Sequence, residues 1–385
     1  MNIVLFGASG SIGTQTVDII IKDKIKRNLT GFSVGKRVET VDKLLNLFNN
    51  VKYICLQYKK DYLVYKKKYP NVKFFYGDKG LIKLLKANED AAVVNALVGF
   101  AGVEPSLYTI SHNQTLMLAN KESLVVAGEL INKMLDSGKG KLIPIDSEHV
   151  AIAKCLYNEE MENVSFITIT ASGGPFYYLT KADLKKVTKR DALHHPTWKM
   201  GEKITIDSAT MMNKTFEVIE AHYLYRLPKQ FIKTVVDRNS KLHGFVTYKD
   251  GHVNLNVSQN TMEYPIRYAL NEGLPSNGKY FKDVEKNTLS RYNLLPLDEE
   301  RFSLMKYAEV VINEKKDSGA ILNAVNEECV YAFLNNKINF VDIELIIDKI
   351  MKDVEFHVVK SYKDLKKIDQ KYRKKVQEMI KESRG

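Results

Sequence analysis

The residues best suited to chemistry lie in two short stretches. Residues 143–156, IPIDSEHVAIAKCL, run from an apolar strand-like segment into an apolar helical pattern, with Asp146, Ser147, Glu148 and His149 at the change. Two carboxylates at the carboxyl end of a predicted strand occupy the edge where open α/β sheets bind ligands. Asp146 or Ser147 could equally cap the helix that follows, and Glu148 could be a first-turn acid that suits its dipole. The second stretch, residues 207–220 (DSATMMNKTFEVIE), reads as a helix opened by a cap-like Asp-Ser. Asn213, Lys214, Glu217 and Glu220 share one face at spacings of three and four, while Met211, Met212, Phe216 and Ile219 face elsewhere as core. A solvated face with a Lys214–Glu217 pair would give this pattern. So would a third carboxylate, Glu217, offered to Asp146 and Glu148. Three acids form an all-oxygen set for a hard cation, Mg²⁺ or Mn²⁺, with substrate oxygens completing the shell.

Three further segments carry potential binding chemistry. Gly7-Ala8-Ser9-Gly10-Ser11-Ile12-Gly13 follows the first predicted strand and opens a helix. Such a turn lets a phosphate approach the exposed N–H groups and the positive end of the helix dipole. The strand and helix around it favour a dinucleotide over a plain glycine turn. The second strand ends in Gly35-Lys36-Arg37 rather than in the acid that would bind a ribose 2′-hydroxyl, so the cofactor expected is NADP(H) rather than NAD(H). Residues 170–176 (TASGGPF) close a strand with a glycine-rich turn. Its amides and the Ser172 hydroxyl could grip a phosphate, and an ordinary turn would look the same. Residues 194–201 (HHPTWKMG) hold the single tryptophan, Trp198, beside Met200. They suggest an apolar flap that excludes water, or a loop tryptophan anchored in the core. His194 and His195 lack the spaced partners that zinc would need.

The elements that must position these residues fall into sections. Residues 1–150 alternate seven short apolar runs with helical stretches, the pattern of a Rossmann-like parallel sheet in an α/β fold that binds NADPH. Residues 151–275 read as an α+β central domain, with SFITITA as one strand. TVVDRNSKLHGFVTY and HVNLNVS look like paired strands around a tight Asp250-Gly251 turn. Residues 276–295 lack periodicity and read as a linker, and residues 296–385 as a C-terminal helical bundle.

Composition narrows the class. The chain has 385 residues, 44% of them apolar and 27% charged, as in ordinary globular proteins. Its net charge of +12 is spread along the chain without a zinc-finger, RNP or helix-turn-helix pattern, so a lysine-rich solvated surface is expected and no nucleic acid. Three distant cysteines, no signal-peptide pattern and no long apolar run lead us to expect a cytoplasmic protein without a membrane span.

Taken together, GASGSIG (7–13), NALVGFAG (95–102), LANKESLV (118–125), PIDSEH (144–149), ASGGPF (171–176), HPTWKMG (195–201), DSATMMNKTFEVIEA (207–221) and AVNEECVYAF (324–333) stand in one order across nearly the whole chain. This set resembles the 1-deoxy-D-xylulose 5-phosphate reductoisomerases of the non-mevalonate isoprenoid pathway. The resemblance implies that the linear keto sugar phosphate rearranges its skeleton by retro-aldol cleavage and re-aldolisation. NADPH then reduces the aldehyde to give 2-C-methyl-D-erythritol 4-phosphate, with a divalent cation as Lewis acid. It implies that Asp146, Glu148 and Glu217 hold the cation and that Ser172, Ser208, Asn213 and Lys214 hold the phosphate. By the same resemblance Ser147 and Lys121 contact the substrate backbone. Trp198 and Met200 belong to the closing flap, with His195 at its edge. The general acid or base is left among Glu148, Lys121 and a metal-bound water. Around NADPH it places Gly7, Ala8, Ser9, Gly10, Ser11, Ile12, Gly35, Lys36, Arg37, Asn120, Lys121, Glu122 and Gly201. It also suggests a homodimer through the central hairpin. One departure stands out: residues 236–240 read VDRNS where the family often has His-Pro-Gln-Ser, and only Ser240 and the downstream His243 remain. The flap also reads Pro-Thr-Trp where Pro-Asn-Trp is frequent.

Overall fold

Seven parallel strands form the first sheet: β1 Asn2–Phe6, β2 Asn28–Val34, β3 Tyr53–Leu56, β4 Lys73–Tyr76, β5 Ala92–Asn95, β6 Thr115–Leu118 and β7 Lys141–Pro144. They are the seven apolar runs expected, and the order across the sheet is β4-β3-β2-β1-β5-β6-β7. Ile3, Val4, Leu5 and Phe6 are wholly buried, which a central strand covered on both faces requires. This computed structural model describes residues 1–22, 27–274 and 294–382, so residues 276–293 of the expected linker lie outside it. The chain divides into two units. The first comprises Met1–Ser123, Glu129–Asp146 and a segment beginning at Met262. Within it the helix Glu263–Leu270 is tied down by Arg27, whose guanidinium donates to the Leu270 carbonyl at 3.1 Å.

The strand order reverses between β1 and β5, the crevice where doubly wound sheets bind dinucleotides. The Gly7–Gly13 turn leaves β1 there and enters the helix Ser11–Lys22. Gly7 has a φ of +77°, and a Cβ on Gly13 would stand 2.2 Å from the Gly7 carbonyl oxygen. Only glycine permits that approach of helix to turn.

The second unit comprises Leu124–Gly128, Ser147–Thr261 and, among the described residues, the chain from Leu294 onward. Its strands are β8 Val164–Ala171, β9 Ile232–Val236, β10 Leu242–Tyr248, β11 Val253–Val257 and β12 Leu295–Pro296, in the order β11-β10-β8-β9-β12. The hairpin of β10 and β11 forms around Gly251, as the Asp-Gly turn suggests. The stretch TVVDRNSKLHGFVTY is not one strand. It splits into β9 and β10, and β8 lies between them, parallel to β9 and antiparallel to β10. The split has a local cause. The Asp237 carboxylate accepts from the backbone N–H groups of Asn239, Lys241 and Leu242, and Ser240 takes a left-handed φ of 52°.

Helices Lys306–Glu314, Ser318–Leu334, Phe340–Asp353 and Tyr362–Glu382 follow, as the periodicity of the tail predicts. Ser318–Leu334 is buried along nearly its whole length. Arg373 holds the last helix against it through Glu327, and also bonds Asp369 at 2.8 Å. No helix among the described residues is long and apolar enough to cross a membrane.

Candidate active site

Helix Ser147–Cys155 begins directly at the opening motif. The Ser147 hydroxyl donates to the Glu148 carboxylate at 2.6 Å. Asp146, which ends the Glu129–Asp146 segment of the first unit, forms a 2.5 Å ion pair with Lys121, and both side chains are largely buried. Glu148 lies two residues further along the chain, in the second unit.

The second acidic stretch is built differently from its sequence pattern. Asp207 and Ser208 do not open the helix; they end an earlier one, Glu202–Ala209. Met211 then turns the chain with a left-handed φ of 62°, and a separate helix runs Met212–Tyr225. A methionine in that region gives no signal in a sequence. Met211, Met212, Phe216 and Ile219 are core as expected. The polar face is buried too: Lys214, Glu217 and Glu220 are at most 3% exposed, which removes the solvated-face alternative.

Lys214 organises this face. Its Nζ bonds Glu148 Oε1 at 2.8 Å, pairs with Glu217, and donates to the Thr170 carbonyl at 2.5 Å. Burial alone would lower the lysine's pKa, but the two carboxylates outweigh burial and raise it. Asn213 donates to Glu217 Oε1 at 2.5 Å. Carboxylate oxygens of Glu148 and Glu217 come within 4.8 Å of each other. Two carboxylates and one ammonium leave an uncompensated negative charge in a largely buried place. A cation relieves that cost, so the donor set fits a hard divalent metal.

Thr170 is also near the end of β8, which delivers Ser172. His195 Nε2 lies 3.0 Å from Ser172 Oγ and 3.1 Å from Ser208 Oγ. His195 Nδ1 accepts the backbone N–H groups of Thr197 and Trp198 at 3.2 and 3.0 Å. An Nδ1 that accepts puts the proton of a neutral ring on Nε2. Burial, and then the nearby Arg238 charge, push His195 down to about 4, so the ring is neutral at pH 7. Ser172 Oγ also accepts from the Gly174 N–H at 3.1 Å. With donors supplied by His195 and Gly174, the Ser172 hydroxyl hydrogen is available to a third partner. The group is a set of aligned donors of the kind a phosphate needs. Trp198 and Met200 are half-buried on the same loop, and the indole meets the His243 ring edge-on at 6.0 Å. Gly201 stands just before helix Glu202–Ala209.

His243 is likewise pushed down to about 4, chiefly by burial. The two histidines make stability depend on pH. Unfolded, each titrates near 6.5, so between about 6.5 and 4 the unfolded chain binds more protons than the folded one. Their contribution is whole above this window and is lost as pH falls through it. The urea midpoint should drop between pH 7 and 4.5, and a His195→Gln/His243→Asn double variant should show a shallower drop. Identical slopes would take both residues out of this account.

In the first unit, the Gly7 N–H donates to Ser33 Oγ at 3.0 Å and the Ala8 N–H to the Ser33 carbonyl at 2.9 Å, which sets the turn against β2. Gly35 follows β2, and Lys36 and Arg37 after it are exposed. A glycine turn at a helix start with two exposed cations beside it fits a dinucleotide carrying a 2′-phosphate. Asn120 is engaged in structure: it donates to the Leu97 and Gly99 carbonyls at 2.9 and 3.0 Å and to Glu122 at 3.0 Å.

Sequence reasoning missed two buried groups. His149 Nε2 pairs with Glu220 Oε2 at 3.0 Å, joining the helices that carry Glu148 and Glu217. Lys203 pairs with Asp207 at 2.8 Å, and Asn326 donates to Asp207 at 2.8 Å from the C-terminal helices. Lys203 and Asp207 are four apart, a spacing that could have signalled their pair. Nothing local signals Asn326.

Comparisons with known proteins agree along the chain. Models described as 1-deoxy-D-xylulose 5-phosphate reductoisomerase, its C-terminal domain, and the DXP reductoisomerase C-terminal domain match residues 3–128, 142–225 and 257–375. A 1-deoxy-D-xylulose 5-phosphate reductoisomerase of Bacillus cereus (strain AH187) is 39% identical over 382 residues, 98% of this chain and 100% of the relative. A crystal structure of DOX-P reductoisomerase in complex with NADPH, fosmidomycin and magnesium is similar with a TM-score of 0.91 at 30% identity, covering 99% of this chain and 98% of that one. The Zymomonas mobilis enzyme in complex with NADPH gives 0.89 at 30% identity, covering 98% of each chain.

Proposed function

The chain belongs to the 1-deoxy-D-xylulose 5-phosphate reductoisomerase family, and we propose that it converts that sugar phosphate to 2-C-methyl-D-erythritol 4-phosphate with the residues described above. It is an NADP-dependent oxidoreductase of isoprenoid biosynthesis that uses NADPH and a divalent cation. The observation that carries the assignment of residues is Lys214. One buried ammonium joins two carboxylates to the strand end that bears Ser172.

Glu148 and Glu217, with Asp146 as the third acid, would hold the cation. When bound, the cation supplies Lewis acidity to the substrate's oxygens and NADPH supplies the hydride. The rest is done by the chain. Ser172 and Ser208, aligned by the neutral His195, grip the phosphate, with Asn213 on the neighbouring helix and with Lys214, whose donors go to Glu148, Glu217 and Thr170, adding positive charge there. Anchoring the far end of the substrate positions its reacting carbons. Ser147 and Lys121 contact the sugar backbone. Trp198 and Met200 close over it and exclude water. Glu148 and Lys121 are the chain's own candidates for moving a proton. Gly7–Ile12 and Gly201 take the cofactor's backbone, with Asn120 and Glu122 on the wall of its site, and Lys36 and Arg37 take the 2′-phosphate.

The finer readings follow the same lines. A homodimer through β11 is supported by Val253 and Leu255, apolar and 44% and 52% exposed on an edge strand. A cytoplasmic location is supported by Cys55, Cys155 and Cys329, all free and buried. Burial pushes the Cys55 and Cys155 thiols up to about 12.

The test is NADPH oxidation with 1-deoxy-D-xylulose 5-phosphate, with and without divalent metal. Activity should vanish in EDTA and return with Mg²⁺ or Mn²⁺; a full rate in metal-free protein would overturn the metal assignment. Arg37→Glu should weaken NADPH by about a hundredfold and NADH by no more than about threefold, since a charge-assisted contact to the 2′-phosphate is lost. Equal weakening would remove Arg37 from the 2′-phosphate site.

A further inference from the structure

The segment that departs from the family pattern packs against the phosphate grip. Asp237 folds the turn after β9 through its three backbone partners, and Arg238 projects from that turn. Arg238 Nη1 donates to the carbonyls of Ser172 and, at 2.9 Å, of Gly174. Its guanidinium lies 5.2 and 5.3 Å from the ring centres of Tyr177 and Tyr178. Gly173 and Gly174 between these carbonyls are left-handed, with φ of +77° and +65°. A second arginine holds the next part of the loop: Arg301 donates to the carbonyls of Phe176 and Tyr177 at 2.6 and 2.9 Å. Two guanidiniums thus fix four carbonyls of one short loop. A guanidinium fork suits this because it is planar, always charged and donates in fixed directions.

We propose that Arg238 is a positioning residue of the phosphate grip, holding the turn that aims Ser172 Oγ and adding a positive charge that favours a phosphate dianion there. The same charge, after burial, disfavours the protonated form of His195. A charge close enough to act on His195 is close enough to act on an anion held by that histidine's serine partners.

The proposal rests on Ser172 and Ser208 being phosphate ligands, and the experiment separates the two claims. On the full chain, the KM for 1-deoxy-D-xylulose 5-phosphate, the inhibition constant of inorganic phosphate, the NADPH dissociation constant and the His195 pKa by NMR are measured. Arg238→Met should raise the first two by about tenfold, with kcat falling less than about threefold, because the lost contact acts on ground state and transition state alike. NADPH binding should hold, and the His195 pKa should rise from about 4 while staying depressed, since burial, the larger cause, remains. Arg238→Lys keeps the charge. What it loses is the planar Nη1 group that donates to both the Ser172 and Gly174 carbonyls, so it should leave His195 low and raise the phosphate constant by about threefold. If the Met variant does not fold, the Lys variant decides: a raised phosphate constant supports the proposal and an unchanged one overturns it. Unchanged phosphate constants and an unmoved His195 in Arg238→Met would also overturn it. Ser172→Ala distinguishes the premise. If that variant leaves phosphate inhibition unchanged, the phosphate grip itself is wrong. If it weakens phosphate while Arg238→Met does not, only the role of Arg238 fails.

Discussion

Glu217→Gln should lower kcat by about a hundredfold or more while the NADPH dissociation constant stays within about twofold. The separation follows from placement. Glu217 and its partners Lys214 and Asn213 lie in the second unit, while the Gly7–Gly13 turn and Lys36-Arg37 lie in the first. Glutamine keeps the volume and one oxygen, so the buried helix Met212–Tyr225 retains its packing. What it loses is charge. Glu148, Glu217 and Lys214 carry a net charge of −1 and the variant carries none, so the folded protein without metal should lose little stability. Titration with Mn²⁺ followed by its EPR signal should show weaker binding, and the melting temperature in EDTA should move by no more than about 3 °C. A variant that binds Mn²⁺ as tightly as the wild type would show that Glu217 is a structural acid.

The legible parts of this molecule are those written in local pattern. The seven apolar runs of residues 1–150 became the seven strands because parallel strands buried on both faces must be apolar throughout. Glu217 is legible as a partner for Glu148 because helical spacing puts it on one face with Asn213 and Lys214. The burial of that face was not legible, since periodicity cannot say which neighbour covers a polar stripe. Nor was the insertion of β8 between β9 and β10, because sheet order is a matter of distant pairing. The Asp-Ser at 207–208 looked like a helix start and is a helix end; the break is made by Met211 in a conformation its residue type does not announce. The serine–histidine–serine cluster unites residues 172, 195 and 208, whose motifs were each visible while their hydrogen bonds were not. Arg238 lies outside every motif that carried the resemblance, so no local pattern singled it out.

Lys214→Met should be the most destabilising single change at the site. The ammonium is 3% exposed and compensates two carboxylates as well as the Thr170 carbonyl. Removing it takes the cluster from a net −1 to −2 with little solvent to screen the charges, since Glu217 is buried and Glu148 is mostly so. Breaking a buried ion pair from one side costs about 3–5 kcal/mol, equivalent to a melting temperature lower by roughly 10 °C in a unit of this size. The pH dependence distinguishes this from a loss of packing. In the wild type the lysine's raised pKa means its contribution is fully present below the unfolded value, about 10.4, and is lost only as pH rises through the folded one. In the variant the two carboxylates repel each other with no ammonium between them, a cost that protonating either one relieves, so the penalty should shrink as pH falls from 8 to 5. Magnesium should also raise the melting temperature of the variant by more than it raises that of the wild type, because the cation then relieves two charges instead of one. A deficit constant from pH 8 to 5 and indifferent to magnesium would mean that Lys214 fills space and does not balance charge.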